Sequence, residues 1–222
     1  MTEFKGHLVL VVGPSGAGKD SVLRGARQEL AGDRRFVFPR RFVTRFADVS
    51  AEDHFTMTDM EFAIAVSEDA FSLWWEAHGN FYGIGKSIEA DLKAGCVVAV
   101  NCSRAMLDQA AAQYPNVTVA EITASPGVLV SRIVARGRET EAEAIQRVSR
   151  SVPVYPAGLQ IVRIENNGAL QDAVDRFCDI LEALENAVSN PGGCALDNQD
   201  KQEDGDDDGR GLVIVEHLER HL

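Results

Sequence analysis

The stretch Gly13-Pro14-Ser15-Gly16-Ala17-Gly18-Lys19-Asp20-Ser21, placed directly after His7-Leu8-Val9-Leu10-Val11-Val12, constrains this chain more than any other. A short aliphatic run ending on a glycine turn predicts a buried parallel strand, with a helix starting at about Lys19. Gly13, Gly16 and Gly18 let the backbone approach a ligand closely. Consecutive N–H groups at a helix N-terminus then form a nest for phosphate oxygens, and Lys19 adds a point charge near a β/γ-phosphate pair. All nine residues from Gly13 to Ser21 are therefore assigned to nucleotide binding. One position departs from the pattern: a hydroxyl residue is expected after the lysine, to sit on magnesium, but Asp20 stands there and Ser21 comes one place late. A carboxylate is a good magnesium ligand, directly or through water, so Asp20 and Ser21 are the candidate metal residues. The competing reading, a loop disabled by the added negative charge, is disfavoured by the retained lysine and glycines.

The rest of the chain alternates strand and helix signals. Strands are expected over 36–43, 71–75, 80–82, 96–100, 117–123 and 159–164. Helices are expected after the capping boxes Thr58–Glu61 and Thr140–Glu143, over 88–93, from Ser103 to Tyr114, after Ser125-Pro126, and over 169–187. Alternation of this kind gives an open parallel α/β sheet with helices on both faces and its ligand site at the carboxyl ends of the strands. Residues 1–188 form the expected domain. Residues 189–222 are an acidic tail, rich in Asp, Gly and Asn and expected to be disordered, ending on the apolar-rich LVIVEHLERHL.

Bulk properties exclude several classes. The net charge of −12 argues against general nucleic-acid binding, and half of it falls after Val188. No run is long enough to span a bilayer and the N-terminus lacks a signal-peptide pattern, so a cytoplasmic protein without membrane contacts is expected. Cys96, Cys102, Cys178 and Cys194 show neither disulfide nor metal spacing and are expected as reduced thiols. Neither a Ser-His-Asp arrangement nor a metal-ligand cluster stands out.

A protein acidic overall must concentrate its cations to hold a polyanion. They recur in three places: Arg40, Arg41 and Arg45 around the second strand; Lys86; and Arg132, Arg136, Arg138 and Arg147. Arg132 and Arg136 lie one helical turn apart, and Gly137 ends that helix. Helix, Arg-Gly-Arg hinge, helix describes a lid able to bring arginines to a transferring phosphoryl group. Tyr82, between Gly79 and Gly83, places a hydroxyl near the same region. His54 and His78 are weaker candidates for acceptor or metal contacts.

The motifs GPSGAGK, RFVTR, AHGNFYGIG and ARGRETEAEAIQRV, in this order and spacing, resemble the guanylate kinase family over roughly residues 6–186. Within it, GKDS, the Glu52-Asp53-His54 triplet, WEAHGNFYGIG and RGRE look like the ribose 1,5-bisphosphate phosphokinases of phosphonate breakdown. The resemblance implies a P-loop kinase with a small acceptor-binding segment and a helical lid. It implies ATP and Mg²⁺ as donor and cofactor, and ribose 1,5-bisphosphate as acceptor, converted to phosphoribosyl diphosphate. It makes Lys19, Arg136, Arg138 and Arg147 catalytic and gives Arg41, Arg45 and Tyr82 to the acceptor. Leu73 stands where guanylate kinases carry the glutamate that reads guanine, Ile84 replaces a threonine and Asn101 an aspartate. A nucleoside monophosphate kinase and a non-catalytic guanylate kinase-like binding module are the alternatives; Leu73 speaks against the first, Lys19 and the lid arginines against the second. A homodimer is left open.

Overall fold

A computed structural model describes residues 4–44, 54–135, 137, 140–149 and 155–188. In chain order these form β1 (His7–Val12), α1 (Lys19–Glu29), β2 (Phe36–Val37), β3 (Arg41–Val43), β4 (His54–Thr56), α2 (Asp59–Ser67), β5 (Phe71–Ala77), β6 (Asn80–Gly85), α3 (Ile88–Ala94), β7 (Val97–Asn101), a 3-10 turn at Arg104–Met106, α4 (Leu107–Gln113), β8 (Val117–Thr123), α5 (Pro126–Ala135), α6 (Glu141–Ser149), β9 (Gln160–Glu165) and α7 (Leu170–Val188). The tail from 189 onward lies outside the described residues, as do Arg45, Arg136, Arg138 and Cys194.

The main sheet has the order β2-β7-β1-β8-β9, with every pairing parallel. The aliphatic run of β1 occupies its centre because both faces are covered. Val9 and Val11 pack with Val22 and Ala26 of α1 and Phe177 and Leu181 of α7. Leu8, Leu10 and Val12 point the other way, against Ile88 and Leu92 of α3 and Leu107 and Ala110 of α4. The strand period of two thus splits one sequence between two cores. Gly25 makes room for α7: a Cβ there would overlap the Val174 side chain.

A second sheet, β4-β3-β6-β5, stands beside the first. Its outer face buries Phe42 and Phe71 against Phe62 of α2, with Phe62 and Phe71 stacked at 4.7 Å between ring centroids. Its inner face contributes Leu73, Trp75 and Ile84 to the core shared with β1 and β7. The acceptor segment expected from the sequence is therefore a sheet of its own, packed into the main body.

The single strand expected over 36–43 is two strands in two sheets. Pro39 has no N–H to give a ladder, so the chain leaves β7 after Val37 and joins the second sheet at Arg41. Gly83, just past the strand expected over 80–82, lies inside β6, where a side chain would strike the Phe71 ring. Both turn residues of the β5–β6 hairpin, His78 (φ 53°) and Gly79 (φ 71°), are left-handed, as a tight hairpin requires. The capping boxes form as expected: Thr58 N–H donates to Glu61 at 2.5 Å and Thr140 N–H to Glu143 at 2.8 Å. Cys96, Cys102 and Cys178 are buried free thiols. Among the described residues no helix is long and apolar enough to cross a membrane.

His7 opens β1 with its Nε2 2.8 Å from the Thr118 hydroxyl, and burial pulls its pKa below the ordinary 6.5. The unfolded chain therefore takes up this proton before the native one does, so stability falls as pH drops through about 6.5. In thermal melts between about pH 7.5 and 5.5, His7→Gln should lose less stability on acidification than the parent. Equal losses would assign the effect to other groups.

Candidate active site

At the carboxyl edge of the main sheet, register places Asn101 of β7 beside Val11 and Glu121 of β8 beside Val12, one on each side of the emerging glycine loop. The loop can turn there only with glycine. Gly13 (φ 148°) has no space for a Cβ against the Ile122 carbonyl, and Gly18 (φ 92°), which caps α1, has none against the Asn166 amide. Asn166, 3% exposed at the end of β9, donates from Nδ2 to the Ala17 carbonyl at 2.8 Å. Arg132 of α5 reaches the Gly16 carbonyl at 3.5 Å. The loop is thus braced from two elements distant in sequence. Asn166 had no signal in the sequence beyond being a polar residue after a strand.

Lys19 folds over the loop mouth, donating to the carbonyls of Gly13 at 2.9 Å and Pro14 at 3.2 Å. Asp20 follows in the first turn of α1, and its Oδ1 accepts from the Arg41 guanidinium at 3.0 Å and from Asn101 Nδ2 at 2.6 Å. The two departures from the guanylate kinase pattern are therefore bonded to each other: the acid expected on β7 stands on α1, and the neutral partner stands on β7. Both bonds fall on Oδ1, leaving Oδ2 outside them. A carboxylate oxygen beside a phosphate loop is a donor that suits magnesium.

A cavity of about 470 Å³ opens in front of the loop, lined among others by Gly13, Ser15, Gly16, Lys19, Asp20, Arg41, Tyr82, Asn101, Arg104 and Arg147. It gathers candidates from four separate parts of the chain. Tyr82 stacks on Trp75 at 5.5 Å, nearly parallel, and the Arg41 guanidinium lies 5.9 Å from the centroid of the Tyr82 ring. Arg147 of α6 crosses to the hairpin, its Nη2 3.3 Å from Nε2 of His78. Ser21, one residue past Asp20, is not part of the cavity wall. Lys86 is also elsewhere, in an exposed ion pair with Asp69. Arg45, Arg136 and Arg138 lie outside the described residues.

Arg104 is a cavity cation that the sequence reading missed. Its Nη2 is 3.5 Å from Glu121, a 3% exposed carboxylate that also accepts from Arg163 at 2.9 Å. Register between β1 and β8 sets Glu121 at the loop, which no short motif reveals. Cys102 also touches the cavity. Burial pushes its thiol up to about 12, against the opposing pull of the Ser103 backbone and Arg41, so it is protonated near neutral pH and unsuited to nucleophilic attack.

No family model matches the chain. Curated relatives do. A ribose 1,5-bisphosphate phosphokinase (PhnN) of Thiobacillus denitrificans is 40% identical over 178 residues, 80% of this chain and 93% of that protein. A protein of the same name from Burkholderia mallei is 44% identical over 179 residues, 80% of this chain and 96% of that one. Among solved structures, guanylate kinase from Anaplasma phagocytophilum superposes with a TM-score of 0.58 at 20% identity, covering 81% of this chain and 86% of its own, which establishes the fold. Similarity of 40–44% over 80% of this chain and more than nine-tenths of each relative settles the kinship: the chain belongs to the ribose 1,5-bisphosphate phosphokinase family.

Proposed function

We propose that the protein transfers the γ-phosphoryl group of ATP to the 1-phosphate of ribose 1,5-bisphosphate, giving 5-phospho-α-D-ribose 1-diphosphate and ADP. The observation that carries this reading is the character of the acceptor wall. Leu73 and Ile84 are fully buried, Trp75 covers the face of Tyr82, and the cations Arg41, Arg104 and Arg147 line the same cavity as Lys19. Such a wall can grip phosphate, and Leu73, buried in the core where guanylate kinases carry a base-reading glutamate, has no polar group to give a base. Lost polar contacts of this kind shift specificity by orders of magnitude. Membership in the family is consistent with it.

The chemistry asks for positioning and charge neutralisation. An acceptor phosphate is ionised near neutral pH, so its oxygen attacks without a strong general base. That oxygen forms the new bond to Pγ while the bond from Pγ to the β-phosphate bridging oxygen breaks. Lys19 and the loop amides hold the donor β/γ-phosphates. A further cavity of about 470 Å³ beyond Pro14, bordered by Ser125, Leu129 and Asn167, has room for the donor nucleoside. Arg147, with Arg136 and Arg138 of the same lid, neutralises the migrating group; Arg41, Arg45 and Tyr82 orient the acceptor. Asp20 is the residue that would hold magnesium, which when bound would supply charge neutralisation for the donor phosphates. Asp20 also anchors Arg41, so one carboxylate ties the metal position to the acceptor side.

Coupling purified protein to a reaction that consumes phosphoribosyl diphosphate should show product from ATP and ribose 1,5-bisphosphate, and Lys19→Ala should lower kcat by about a hundredfold or more. Turnover of GMP in place of the sugar bisphosphate would move the protein to the nucleotide kinases. Leu73→Glu, which puts an unpaired carboxylate into the core, should lower the melting temperature without creating turnover of GMP. Asp20→Asn should lower kcat by about two orders of magnitude. The exchange variant Asp20→Ser with Asn101→Asp should retain more activity than either single change; additive losses would show that the two positions do not share one charge.

A further inference from the structure

A second cavity adjoins the first. It measures about 260 Å³ and lies between α1 and the chain segment linking β2 to β3. Four arginines line it: Arg24 and Arg27 from α1, Arg40 and Arg41 from the linking segment and β3. Among the described residues Asp20 is the one carboxylate on its wall, and that carboxylate is bonded to Arg41 at 3.0 Å. In a chain of net charge −12 this is a concentration of positive charge, and of the four only Arg41 also faces the glycine loop. Arg24 and Arg27 stand three residues apart on α1, so both present to the same side. Phe38, Pro39 and Leu23 supply the apolar part of the wall.

The two cavities are not independent. Asp20, Arg41 and Asn101 line both, so one short wall separates the loop-facing cavity from the four-arginine one. An acceptor with a single phosphate needs only the first. An acceptor with a phosphate at each end of a sugar ring presents two dianions, and the one further from the donor needs a cationic site of its own. Pro39 is what builds this second site: by forcing the chain out of the main sheet after Val37, it carries Arg40 and Arg41 across the face of α1.

We propose that the cavity formed by Arg24, Arg27, Arg40 and Arg41 is the subsite for the distal, 5-phosphate of the acceptor. This rests on the sugar-bisphosphate reading above and specifies how the second phosphate is recognised. Arg41 then stands between the two phosphates and sets their spacing, which makes it a measuring residue for a bisphosphorylated sugar. Arg24 and Arg27 act on the distal phosphate alone.

The test compares monophosphate analogues that carry one phosphate each. With ribose 1,5-bisphosphate as substrate, inhibition constants are measured for ribose 5-phosphate and ribose 1-phosphate, in the parent and in Arg24→Gln with Arg27→Gln. Both positions are on the helix surface side of α1, and circular dichroism with the KM for ATP reports whether the fold and donor site are kept. The expected result is that the inhibition constant for ribose 5-phosphate, and the KM for the bisphosphate, rise on the order of tenfold or more, while that for ribose 1-phosphate stays within about twofold. The more conservative Arg24→Lys with Arg27→Lys should recover part of the loss. Equal weakening of both monophosphates, or of neither, would overturn the subsite. If the parent protein makes no phosphoribosyl diphosphate at all, the sugar-bisphosphate reading itself fails, which is a separate and earlier outcome.

Discussion

The site depends on a loop held in a conformation that side chains resist. Gly13 and Gly18 take left-handed backbone angles, and neither has space for a Cβ. What keeps the loop in place is its setting: β1 is clamped between β7 and β8 in parallel register, and Asn166 ties the Ala17 carbonyl to the end of β9. The strand ladders fix where the loop leaves the sheet, and the asparagine fixes how it turns. Backbone amides aimed at phosphate in this way need no reorganisation when the ligand arrives, which is the main source of their strength.

Charge is arranged around that loop by exchange. Asn101 stands on β7 and the carboxylate, Asp20, on α1. From α1, Asp20 reaches Arg41 as well as Asn101, so α1, β3 and β7 are joined at the cavity by a single pair of short bonds. Glu121 does the same for Arg104 from the other side of the loop. Each cation is held by a partially or fully buried acid, which limits its side-chain freedom before any substrate binds.

The parts of this arrangement that were legible in the sequence are local. The glycine loop, the two capping boxes, the aliphatic strands and Lys19 are each specified by residues a few positions apart. The Phe36–Val43 segment was misread because its strand propensity is continuous, while Pro39 divides it between two sheets. Asn166, Arg104 and Glu121 escaped because their roles follow from register between strands far apart in the chain. Tyr82 and Arg147 were found through spacing and resemblance, but that Arg147 meets His78 across the cavity depends on the hairpin turn, whose left-handed histidine carries no motif.

The inner face of the small sheet is part of the main core. Leu73, Trp75 and Ile84 pack with strands of the parallel sheet, so the recognition wall is welded to the same mass that carries the loop. On the reading proposed above, preference for one recipient over another is stored as packing and cannot be retuned by swinging a flap. For descendants of such a chain, adopting a base-bearing recipient would mean rebuilding buried interior in several coordinated steps, each passing through a less stable intermediate. Drift in substrate choice should accordingly be slow on this side of the molecule.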